Sequence, residues 1–181
     1  METQNKTQNI TIQELAGNLA AFAIDRTELK ELMAAIPEEN HLNMTALEYE
    51  LQILKILSVG WALAFFMPAS DSNKAPLTRI FWENIRDISD KISTMTRTAS
   101  GQEIDYFNIL KQRLDTYLKV MQDNSDDSAS PAAVMGPAFA SACKCENNAV
   151  AILTGTKMFT LTLGAVKEYL NTVKIDDIKL N

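Results

Sequence analysis

Two cysteines separated by one lysine, Cys143-Lys144-Cys145, are the residues of this chain with the most chemical potential. Paired thiols hold soft metal ions or exchange disulfides, and the backbone between them decides which. On a helix, two residues amount to about 200° of rotation, so the thiols leave on opposite sides and cannot grip one ion. Structural zinc takes four ligands, whereas the chain has no further cysteine and one histidine, His41. A disulfide across a single residue would close a small, strained ring. Helical periodicity places both cysteines in a long final helix from about Ala138 to Leu170. Its stripe runs through Ala142, Cys145, Ala149, Ile152, Thr156, Phe159, Leu163, Val166 and Leu170 at steps of three and four. The cysteines are therefore expected to be packing residues, with no metal and no cofactor.

The other groups capable of chemistry are carboxylates. Glu38 and His41 stand in the Glu-x-x-His spacing of di-iron bundles, but such a centre needs two of these motifs plus two more carboxylates. Glu28 and Glu31 on the first helical segment, with Asp87 and Asp90 on a later one, would hold Mg²⁺ if the bundle brought them together. This arrangement is loosely similar to the acidic pairs of the all-helical nucleoside-triphosphate pyrophosphatases. Asp87-Ile88-Ser89-Asp90 keeps the three-residue step of that family's second pair but lacks its leading Glu. Carboxylates three apart are also what any solvated helix face carries. Thr154-Gly155-Thr156-Lys157 resembles the end of a phosphate loop without its leading glycine, and the chain contains no Gly-x-Ser-x-Gly elbow.

Composition narrows the remaining classes. The 181 residues carry a formal charge of -6, which repels phosphate backbones, so no nucleic-acid partner is expected. The polar start of the chain lacks the apolar core of a secretion signal. The uncharged run from Ile56 to Ser70 falls short of the ~20 residues a spanning helix needs. A second apolar run, Ala149 to Val166, is interrupted by Lys157. No membrane span is expected, and sparse cysteines suit a reducing cytoplasm.

The elements that position these residues all read at helical period. Residues 1–10 are expected as a disordered lead-in, 11–172 as a single bundle domain and 173–181 as a tail. Thr11 and Glu14 form a capping box, and Arg26 in an apolar slot marks a break near Asp25. A second box at Thr45–Glu48 opens a helix to Met67 that is apolar nearly all round from Ile53, the pattern of a central helix. A third helix follows Pro76 with Leu77, Phe81, Ile85, Ile88, Ile92 and Met95 on its buried face. A fourth follows Gly101, burying Leu110, Leu114, Tyr117 and Leu118 among others. After a polar loop, Pro131 restarts a helix that Gly136-Pro137 is expected to break. The fold class is all-α, a bundle of about five helices.

Lacking a catalytic set, the chain is expected to be a non-catalytic interaction protein that self-associates as a homodimer, or binds a protein partner, through apolar helices. The alternatives are a Mg²⁺-dependent hydrolase using Glu28, Glu31, Asp87 and Asp90, and a binder of a small apolar ligand near Trp61, Phe65 and Phe159.

Overall fold

The computed structural model describes residues 8–38, 41–124 and 130–176. In chain order it contains β1 (Gln8–Ile10), α1 (Ile12–Ile24), α2 (Thr27–Ala34), α3 (Met44–Phe66), α4 (Lys74–Ser100), α5 (Tyr106–Asp123), α6 (Pro131–Ala142), α7 (Ala149–Thr172) and β2 (Val173–Ile175). The chain is an all-α helical bundle. Every residue of α3 from Ile53 to Leu63 is buried, and α3 packs against all six of the other helices. The all-round apolar pattern thus produces the central helix that it implies.

Local signals set most of the ends. The Thr11 hydroxyl accepts from Glu14 N–H while the Glu14 carboxylate accepts from Thr11 N–H, the reciprocal box that opens α1. The break between α1 and α2 falls at Asp25, whose carboxylate accepts from Thr27 N–H at 3.1 Å. From α3, the fully buried Lys55 ammonium donates to the Asp25 carbonyl at 2.8 Å and to Glu28 at 2.6 Å. Arg26 reaches out of its apolar slot to pair with Glu48. The cap of α3 is Asn43, accepting from Ala46 N–H at 3.0 Å, rather than the expected Thr45 two residues later. Gly101, in the left-handed region with φ 71°, ends α4.

Other expectations are corrected as well. The final helix does not start near Ala138, nor does Gly136-Pro137 interrupt the segment: α6 runs through Pro137 and the chain breaks at 143–148. The buried face of α7 is Ala151, Thr154, Gly155, Met158, Phe159, Thr162 and Val166, turned away from much of the expected stripe. Met95 on α4 and Leu118 on α5, expected inside, are exposed. Residues 8–10 and 173–175, expected as lead-in and tail, instead pair as a parallel ladder with Ile10 opposite Ile175. Residues 1–7, 39–40, 125–129 and 177–181 lie outside the described residues.

The shift in α7 has a steric cause. A Cβ on Gly155 of α7 would stand 2.6 Å from Cγ of Phe139, and one on Gly136 of α6 would stand 2.6 Å from the carbonyl oxygen of Ile152. These two glycines let α6 and α7 approach backbone to ring and backbone to backbone, which dictates the face α7 turns inward. Replacing Gly136 with Ala is expected to destabilise the fold by about 1–3 kcal/mol, since a backbone carbonyl cannot step aside. Gly17→Ala on α1, where nothing lies within 4 Å, is expected to stabilise by up to about 1 kcal/mol. Urea unfolding of both variants measures the contrast.

Candidate functional site

Where α6 ends, the backbone folds back on itself. Cys145 N–H donates to the Ala140 carbonyl and Lys144 N–H to the Ser141 carbonyl, each at 2.9 Å. These are the two bonds of a Schellman turn, with Lys144 as its left-handed residue at φ 58°. Glycine is the usual occupant, and a side chain there costs about 1–2 kcal/mol. Asn148 then restarts the helix, its side chain accepting from Val150 and Ala151 N–H at 3.0 and 3.1 Å.

The turn overturns the expectation that the thiols diverge. Cys143 and Cys145 are free, half-buried, and line one cleft. The cleft, about 460 Å³, lies between the start of α3, α5 and the α6–α7 turn. His41, Tyr49, Glu50, Arg113 and Lys144 also border it, and His41, like Lys144, is a non-glycine residue with positive φ. Glu50, buried on α3, receives Arg113 of α5 as a two-pronged ion pair, Nε to Oε2 at 2.8 Å and Nη2 to Oε1 at 2.5 Å. The carboxylate reinforces the positive charge of Arg113. Tyr117 is fully buried close by, and its hydroxyl has no hydrogen-bond partner among the described residues. Burial, with smaller contributions from Glu50 and Cys143, pushes its ionisation upward.

Electrostatics keep the thiols protonated. Burial, followed by the neighbouring Cys145 and Glu50, pushes Cys143 up to about 12. Burial and Glu146 also raise Cys145. Catalysis of thiol–disulfide exchange needs a thiolate near neutral pH, so this pair is poorly suited to it. Nor is it part of a larger cage: among the described residues no three His, Cys, Asp or Glu side chains form a group able to hold a metal.

The carboxylates and aromatics singled out from sequence are dispersed or packed. Glu28 is consumed by Lys55, and Glu31 lies one turn further along α2. Asp87 and Asp90 sit on α4, bordering an open groove with Lys91 and Met95. The structure therefore does not gather Glu28, Glu31, Asp87 and Asp90 into a Mg²⁺ site. Trp61 stands edge-on to Tyr117 at 5.9 Å and to Phe159 at 6.0 Å, so these rings fill the core against one another. Phe65 is exposed at the far end of α3. The dithiol turn was the constellation that sequence reasoning missed. Its one legible signal was Asn148, a good N-cap residue ahead of an apolar run, whereas the missing glycine at 144 concealed the helix end.

No family model, curated protein or solved structure matches the chain.

Two outcomes follow from the turn. Lys144→Gly is expected to raise stability by about 1 kcal/mol, measured by urea unfolding, because it relieves the left-handed strain. Because Cys143 is raised from its ordinary 9.0 to about 12, the unfolded chain loses that proton first as pH rises. Stability from this group is thus full below 9 and declines up to 12. Alkylation by iodoacetamide, followed by peptide mass mapping, is expected to be slower at Cys143 than in the denatured chain at pH 8. Its rate should climb about tenfold per pH unit beyond the point where the denatured chain levels off.

Proposed function

We propose that this chain is a non-catalytic interaction protein that self-associates as a homodimer through the outward face of α7. The observation that carries the reading is an inversion of that helix. Thr154 and Thr162 are 6% and 1% exposed, their hydroxyls bonded within the helix, while Leu153 and Leu161 are 54% and 53% exposed. Fully burying a leucine is worth about 1.5–3 kcal/mol, so a helix that turns threonines inward and leucines outward has apolar surface to spare.

The partner is a second copy because the face is self-complementary. Leu153, Lys157, Leu161, Gly164 and Glu168 recur at steps of three and four, and all are exposed. An antiparallel pair of α7 helices with its two-fold axis between Leu161 and Gly164 seats each leucine over the glycine of the other copy. Gly164 has open space where a Cβ would be. The same axis sets Lys157 opposite Glu168 in both directions, the isologous arrangement a two-fold interface requires. Both α3 and α7 are long and apolar enough to cross a membrane, with 67% of the apolar stretch buried in α3 and 39% in α7. Burial of α3 accounts for its composition. A lysine within the exposed face of α7 favours a protein partner over lipid.

Sedimentation equilibrium is expected to find a dimer at micromolar concentration. Leu161→Glu should yield a monomer with unchanged helical circular dichroism and a melting temperature that no longer rises with protein concentration. Lys157→Glu and Glu168→Lys should each weaken the dimer, and combining them should restore it. A wild-type chain that stays monomeric, or one that partitions onto lipid vesicles instead, rules the reading out.

A further inference from the structure

The cysteine turn lies outside the α7 face, and self-association makes no use of it. The geometry points to Cys143 and Cys145 as a two-thiolate site for one soft, thiophilic cation of the Cu(I) class. The hydrogen-bonded Schellman turn places both cysteines on the lining of one cleft before any ion arrives, so little chain ordering accompanies binding. The class of ion follows from the donor set. Thiolates select soft ions, and hard cations such as Mg²⁺ prefer carboxylate oxygens. Zinc would need two more ligands, which the described residues do not supply here. A monovalent soft ion that accepts two sulfurs matches what is present.

Binding breaks two S–H bonds, forms two S–metal bonds and releases two protons, with no change of oxidation state. The resulting centre carries one negative charge. Lys144 and Arg113 border the same cleft and oppose that charge; Glu50, which engages Arg113, and Glu146 add to it. His41 and Tyr49 border the same cleft, and Tyr117 carries a buried hydroxyl with no hydrogen-bond partner among the described residues.

Reduced, full-length protein titrated without oxygen against a coloured Cu(I)–bicinchoninate complex is expected to withdraw one ion per chain. In weak buffer that withdrawal should release two protons per ion. Cys143→Ser and Cys145→Ser should each abolish the withdrawal while keeping helical circular dichroism. Should either variant fail to fold, phenylarsine oxide on the wild-type chain decides: one adduct per chain, with both thiols then closed to alkylation, supports the site. Failure to compete for Cu(I), retention of the ion by either serine variant, or one ion shared between two chains overturns it.

Discussion

Burial of charge on the central helix is the constraint on which the other elements depend. Helix α3 contacts every other helix, so Lys55 and Glu50 are held almost wholly out of water and are each met by a partner from a neighbouring helix. An uncompensated buried charge costs about 3–5 kcal/mol, comparable to much of a domain's net stability. Lys55 is satisfied by the Asp25 carbonyl and Glu28, which ties the α1–α2 break to the core. Glu50 is satisfied by the fork of Arg113, which sets where α5 docks. Such pairs add little net stability over an apolar substitute, but they penalise every misplacement of α2 or α5.

A second constraint, close backbone approach, orders the other half of the bundle. Gly136 and Gly155 remove side chains where α6 and α7 meet, so Phe139 lies against the backbone of α7. That approach turns Thr154 and Gly155 inward and leaves Leu153 and Leu161 outside. The same tight pairing leaves no room for one continuous helix. The chain reverses at Lys144 in a conformation lysine rarely takes, and that reversal sets both cysteines on the lining of one cleft. The candidate dithiol and the candidate dimer face are thus both consequences of how α6 and α7 fit.

Much of the fold was legible in the residues. The Thr11–Glu14 box, the break at Asp25, the proline that opens α6 and the all-round apolar run of α3 are short-range signals, and each has the structural outcome its chemistry implies. The site was not legible, and the reasons are particular. Pro137 looks like a breaker because it lacks an N–H, yet α6 absorbs it; Lys144 does not look like a helix end because glycine usually stands there. Periodicity through Ala142, Cys145 and Ala149 then continued across a reversal that it could not register. The four carboxylates posed the opposite problem, since residue type and spacing say nothing of how helices are arranged around α3.

Taken alone, the sequence determined that the chain is all-α, which helix is central, and where most helices begin, because capping and amphipathic period act over a few residues. Tertiary structure alone decided which face of α7 points inward, that Lys55 and Glu50 are neutralised by α2 and α5, and that Cys143 and Cys145 share a cleft. Those outcomes depend on contacts between residues far apart in the chain, where steric fit and desolvation outweigh local preference.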